Sequence, residues 1–166
     1  MLIAPATASA WFLAFVGPIC FYVAFSDMAR MKIPNLAVMA MVVVFAVVGI
    51  FVLPFEDYAW RWLHLIVVLV VGFFMNMVGL VGAGDAKFAA AMAPFIVVGD
   101  LFSVLLLFAA VMLAAFITHR TARAIPAVRR LAPHWESWTR KDFPMGLALG
   151  ASMAAYLALA AKFGTA

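Results

Sequence analysis

Five apolar segments dominate this chain, and each is long enough to cross a lipid bilayer, which takes roughly 20 residues of helix. Hydrophobic residues make up 69% of the 166 positions and charged residues 11%, which is more apolar surface than a soluble domain of this length buries. The sequence therefore predicts an all-α integral membrane protein. The five segments are residues 8–25, 36–53, 63–81, 101–118 and 143–161.

A sixth apolar segment, residues 86–98, is short and contains Pro94, so on length alone it fits either a crossing or a re-entrant piece. The basic residues favour a crossing, because cytoplasmic loops of membrane proteins are enriched in Lys and Arg. With six crossings, Arg61 and Lys162 are the only basic residues on the outer side. The inner side receives Arg30, Lys32, Lys87, Arg120, Arg123, Arg129, Arg130, Arg140 and Lys141. We therefore expect a single domain, residues 1–166, with six transmembrane helices and both termini outside.

The same topology places two aspartates at the inner ends of apolar segments. Asp27 follows the first segment and Asp85 follows the third, so both lie at a similar depth on the cytoplasmic face. Two carboxyl groups that share a site do not both ionise easily, and one keeps a proton near neutrality. One can then act as general base on water and the other as general acid on a peptide carbonyl, with either residue in either role. This pattern predicts aspartyl proteolysis without a metal ion or other cofactor.

The residues around both aspartates resemble those of a known family. The matching strings are Asp27...Arg30...Ile33-Pro34-Asn35 and Gly82-x-Gly84-Asp85-x-Lys87. They are similar to the motifs of the type IV prepilin peptidases, membrane aspartyl proteases of bacteria with archaeal preflagellin-peptidase relatives. The resemblance implies a GxGD-type architecture with catalytic Asp27 and Asp85 on the cytoplasmic side of the bacterial inner membrane. It also implies prepilin or pseudopilin substrates, cut after a small residue, typically glycine, to remove a short basic leader.

Larger members of that family carry an extra cytoplasmic region, often with cysteine pairs, that is linked to N-methylation of the processed pilin. This sequence has a single cysteine, Cys20, inside the first apolar segment. The chain instead resembles the short members of tight-adherence (Flp) pilus systems. That resemblance implies leader peptidase activity without N-methyltransferase activity.

Six further motif residues have predicted supporting roles: Gly82, Gly84, Lys87, Arg30, Pro34 and Asn35. The two glycines let the backbone turn and let a bound peptide approach the aspartate beside them. The lysine either tunes that aspartate electrostatically or extends to the membrane surface, and the arginine serves as an orientation signal. The proline and asparagine are expected to begin the second helix.

The long polar connection, residues 119–142, carries most of the inner-side basic charge. Its apolar residues at helical spacing, followed by Trp135 and Trp138, predict a segment that lies on the membrane surface. Its cations would face anionic lipid, and its aromatic rings would lie among the headgroups. The enrichment of basic residues on the cytoplasmic side therefore accounts for the net charge of +4. No nucleic-acid partner is expected.

Two other functions fit the same apolar segments. A small cation-coupled transporter would use the aspartates to bind a cation, but it would carry its acids near the bilayer centre beside discontinuous helices. A catalytically silent pilus assembly factor would keep the fold, although the intact aspartates of both motifs argue against it. Leader-peptide cleavage is therefore the first hypothesis.

Overall fold

The computed structural model describes residues 2–165, and most of that range is helical. Its seven α-helices are α1 (Ala6–Arg30), α2 (Asn35–Val52), α3 (Phe55–Met77), α4 (Ala83–Met92), α5 (Leu101–Ala124), α6 (Pro126–Leu131) and α7 (Met145–Phe163). Five of them, α1, α2, α3, α5 and α7, are long and apolar enough to span a membrane. The expectation of an all-helical membrane protein is confirmed to that extent.

Proline residues mark where four of the long helices begin. Pro5, Pro34, Pro54 and Pro144 stand immediately before α1, α2, α3 and α7, with ψ angles between 95° and 140°. Proline suits this place because its fixed φ is compatible with a helix start and its missing N–H would lack a helical partner there. The predicted role of Pro34 and Asn35 at the start of the second helix agrees with these bounds.

The third helix differs most from the apolar segment that predicted it. The hydropathy pattern predicted a span over residues 63–81, whereas α3 covers Phe55–Met77. Glu56 and Asp57 lie in its first turn, where the positive end of the helix dipole favours acidic side chains. The helix ends before Gly79, which has a φ of +75° that other residues rarely adopt.

α1 and α7 pack closely along most of their length. Their contacts extend from Asp27 beside Gly146 at one end to Ala4 beside Gly164 at the other. Between these ends, a Cβ atom on Gly150 would lie only 2.7 Å from the carbonyl oxygen of a residue of α1. Small residues thus permit the close backbone approach that stabilises helix pairs in membranes. α3 and α5, in contrast, fully bury almost none of their apolar side chains, as expected of helices that face lipid.

The sixth predicted crossing corresponds to α4, which has 10 residues, and a 3-10 turn after it. At one end of this stretch, Gly84 packs against Ile33, next to the end of α1. At the other end, the carboxylate of Asp100 accepts hydrogen bonds from the N–H groups of Ile3 (2.7 Å) and Ala4 (3.0 Å), just before α1 begins. The stretch 83–100 therefore extends from one end of α1 to the other.

Part of the polar connection 119–142 is helical, and part of it packs against the bundle. α5 continues to Ala124 before α6 begins, and the chain then folds back onto the bundle. Trp138 is buried and stacks on His119 with ring centroids 5.5 Å apart, while Trp135 packs edge-on against Phe25 at 5.8 Å. The expectation that both rings lie among lipid headgroups is wrong for Trp138, because protein side chains cover it.

Candidate active site

Both sequence motifs lie at the same end of the helix bundle, which we call the motif end. α1 ends there with Arg30, α4 begins there with Ala83, and α7 begins there with Met145. Asp27 and Asp85 are close enough for the negative charge of the first to affect the titration of the second. The structure therefore brings together the two aspartates that the sequence singled out.

Asp27 lies in the last turn of α1, and its side chain is buried, with 5% of the residue exposed. Its Oδ2 atom accepts a hydrogen bond of 2.6 Å from the backbone N–H of Gly146. This N–H belongs to the first turn of α7, where backbone donors have no partner within the helix. The positive end of the α7 dipole favours a carboxylate at this place. The hydrogen bond and the helix dipole thus offset part of the cost of burying the ionised form of Asp27.

Gly146 is a site residue that the sequence analysis did not find. A Cβ atom on it would lie 2.9 Å from the Cβ and 3.0 Å from the Oδ2 of Asp27, closer than side chains approach one another. Only glycine therefore fits at this position without a shift of the aspartate or of α7. The sequence feature that could have pointed to Gly146 is its place two residues after Pro144, at the start of an apolar segment. That signal is weak, because glycines are frequent in membrane helices.

Asp85 is the third residue of α4 and is partly exposed. Its Oδ2 atom folds back over Gly82, where a Cβ atom would lie only 2.6 Å from that oxygen. The glycine thus leaves room for the carboxyl group beside the helix start. Burial, and secondly the negative charge of Asp27, raise the pKa of Asp85 from its ordinary value of 3.8 to about 6. Asp85 therefore keeps its proton at a pH where an exposed aspartate has lost it.

Five of the six supporting motif residues surround one cavity of about 400 Å³ at the motif end. They are Arg30, Pro34, Asn35, Gly84 and Lys87. Two contacts fix the loop between α1 and α2 over the glycine motif. Ile33 packs against Gly84, and the hydroxyl of Ser26 donates a hydrogen bond of 3.0 Å to the carbonyl oxygen of Lys32. The sixth residue, Gly82, faces Asp85 instead.

A second buried polar cluster lies at the opposite end of the bundle. A topology of six crossings puts Arg61 and Asp100 on the outer side, and both side chains are buried in the structure. Besides its bonds to the backbone before α1, Asp100 accepts a hydrogen bond of 3.0 Å from the hydroxyl of Tyr156. Arg61 donates to the carbonyl oxygen of Pro94 at 3.4 Å. These bonds hold the start of α1, the turn before α5 and α7 together, far from the aspartates.

Comparison with protein families identifies the chain. The model of the type IV leader peptidase family matches residues 14–119, which is more than half of the sequence. The chain belongs to this family. The matched range contains both aspartates and all of α4, whereas α7, with Gly146, follows it. No curated protein and no solved structure matches the chain.

Membership in the type IV leader peptidase family confirms the resemblance that the two motifs indicated. The family, together with five helices able to span a membrane, indicates a membrane-embedded peptidase. Membership also implies prepilin-like substrates.

Proposed function

We propose that the protein is a membrane aspartyl endopeptidase that removes the leader peptide from prepilins or pseudopilins at the cytoplasmic face of the inner membrane. The observation that supports it best is the meeting of Asp27 and Asp85 at one end of the bundle. The first of them is held by the N-terminus of a third helix, α7. The direct test is leader removal in cells that contain the unsubstituted protein, Asp27→Asn or Asp85→Asn.

The environments of the two carboxyl groups support different roles. The Gly146 N–H at 2.6 Å favours the ionised form of Asp27 against the opposing effect of burial, which suits a general base. Burial and the charge of Asp27 raise the pKa of Asp85 to about 6, which suits a general acid. Two carboxyl groups can take the roles of acid and base when their surroundings give them different pKa values.

In this mechanism Asp27 takes a proton from a water molecule, and the water oxygen forms a bond to the scissile carbonyl carbon. Asp85 donates its proton to the carbonyl oxygen, which gives a neutral tetrahedral intermediate. The C–N bond then breaks, and the proton on Asp27 passes to the leaving amine nitrogen. A hydroxyl proton of the intermediate returns to Asp85 as the new carboxyl group forms. The leader leaves with that carboxyl group, and the pilin keeps a free amine.

The rate of leader removal is expected to fall as pH rises through about 6. The proposed mechanism needs a proton on Asp85, and the pKa of that group is raised to about 6, so the proton is present below this pH and lost above it. The initial rate should be measured with purified protein and a prepilin in detergent between about pH 5 and pH 8. A rate that stays constant or rises from pH 6 to pH 8 would contradict an acid role for Asp85.

We further propose that residues 86–98 cross the membrane, which gives six crossings and an active site on the cytoplasmic side. Two observations support this topology. The stretch 83–100 extends from the motif end to the start of α1, and the basic residues strongly favour one side when it crosses.

This topology predicts that Lys32→Cys and Arg130→Cys react with a membrane-impermeant maleimide from the same side, and Glu56→Cys from the other. Each cysteine is placed in a Cys20→Ala background and labelled in spheroplasts before and after the membrane is permeabilised. Glu56→Cys should react at once, and the other two only after permeabilisation. If Arg130→Cys reacts at once while Lys32→Cys does not, residues 86–98 do not cross.

A further inference from the structure

An apolar groove of about 450 Å³ runs along one side of the bundle. α3 and α5 form its walls, and α4 and α7 form its floor. α3 packs chiefly against α4, and α5 chiefly against α7, so the described residues leave the space between the two walls open. The side chains that line it are mainly aliphatic and aromatic, and none belongs to Asp, Glu, Lys or Arg.

The floor of the groove begins about one helical turn from the aspartates. Ala89, which lines it, follows Asp85 by one turn of α4. Leu149, which also lines it, follows Gly146 by about one turn of α7, and Gly146 binds Asp27. The two helices that carry these contacts are therefore continuous with the floor of the groove.

The length of the groove suits one face of a short helical segment. On α3 its lining extends from Trp60 to Val68, about 12 Å at 1.5 Å per residue, and on α5 it extends from Leu101 to Phe108. That length accommodates about two turns of a guest helix. Wall residues such as Leu105 are half-exposed, so a guest could enter sideways from the bilayer.

We propose that this groove binds the apolar helical stem of the prepilin-like substrate and thereby places the leader junction at the two aspartates. The inference rests on the leader peptidase function proposed above. A membrane-anchored substrate must keep its stem helical and within lipid or protein, because unpaired backbone groups are costly there. A groove without acidic residues, lysine or arginine, whose floor starts one turn from Asp85 and from Gly146, meets this requirement, since helices associate in membranes chiefly through close packing.

A second apolar groove, of about 550 Å³, lies between α1, α5 and α7. It is less suited to the stem for two reasons. α4 does not line it, so it has no direct connection to Asp85, and Trp135 packs over its motif end against Phe25. Phe21 is an exposed residue of this second groove and serves to test it.

The test is site-specific photocrosslinking with a matched pair of positions. Leu105 and Leu106 are adjacent on α5 and are 56% and 57% exposed, but only Leu105 lines the first groove. A photoreactive phenylalanine analogue is placed at position 105, 106 or 21 of the full-length protein in cells that contain a tagged prepilin of a tight-adherence pilus system. Leader removal is followed in the same cells.

We expect position 105 to crosslink to the prepilin several-fold more than positions 106 and 21. Equal crosslinking at 105 and 106, or stronger crosslinking at 21, with leader removal intact, would overturn the groove assignment alone. If the unsubstituted protein removes no leader, the peptidase proposal fails, and the groove assignment fails with it.

A groove-filling substitution gives an independent measurement. Leu105→Trp is expected to slow leader removal by about tenfold, because the added ring occupies volume that the stem needs, whereas Leu106→Trp should leave the rate unchanged. Both proteins must be present in the membrane at the same level. Equal rates for the two variants would overturn the assignment.

Discussion

Asp27→Asn and Asp85→Asn are each expected to lower the rate of leader removal by about 10²- to 10⁴-fold, the range that general acid or base catalysis contributes. An amide has nearly the size of a carboxyl group, but it does not exchange protons in this role. Because both carboxyl groups are proposed to act on one water molecule and one carbonyl group, either substitution disables the pair. The double variant should therefore be little worse than either single variant.

The measurement is co-expression of each variant with a candidate prepilin, followed by gel mobility and by the sequence of the new N-terminus. Asp142→Asn is the matched control, since Asp142 is an exposed acid shortly before α7 begins. All variants must reach the membrane at similar levels. Leader removal that persists in Asp27→Asn or Asp85→Asn would refute the proposal that the two aspartates act together as acid and base. No removal by the unsubstituted protein with several prepilins would favour the transport or assembly hypothesis.

The placement of the two aspartates at one end of the bundle was predictable from sequence because it depends on topology. Residues that follow the first and third crossings share one side of the membrane, whatever the detailed packing. The structure agrees, because Asp27 and Asp85 lie at the same end of the bundle. The start of α2 after Pro34 was also predictable, because proline is favoured where a helix begins. Proline likewise precedes α3 and α7.

The partner of Asp27 was not predictable in this way. Gly146 is 119 positions away in the chain, and its contact exists only because α7 packs against α1. Hydropathy gives the length of an apolar segment, but not its neighbours or the atoms that its first turn presents. The same reason explains Asp100 and Arg61. Topology gives only the side of the membrane on which these two residues lie, whereas hydrogen bonds to backbone groups and to Tyr156 stabilise them in the interior.

Gly146→Ala is expected to lower the rate of leader removal by about 10- to 100-fold. The new methyl group would lie 2.9 Å from the Cβ of Asp27, so the aspartate or the start of α7 must move, and the 2.6 Å hydrogen bond lengthens. Overpacking of this kind costs about 1–3 kcal/mol. If this energy is lost from the positioning of Asp27 in the transition state, each 1.4 kcal/mol or so lowers the rate tenfold. The rate should be measured per folded molecule, by the same co-expression assay.

Two other glycine substitutions separate loss of geometry from loss of folding. Gly17→Ala adds a methyl group 3.7 Å from the side chain of Leu13, an ordinary contact, and should change neither rate nor amount. Gly150→Ala places the methyl group 2.7 Å from the backbone oxygen of Cys20, which cannot move aside as a side chain can, so the amount of folded protein should fall. Gly146→Ala should instead give folded protein that cuts slowly. If it cuts at the normal rate per folded molecule, the N-terminus of α7 does not position Asp27 for catalysis.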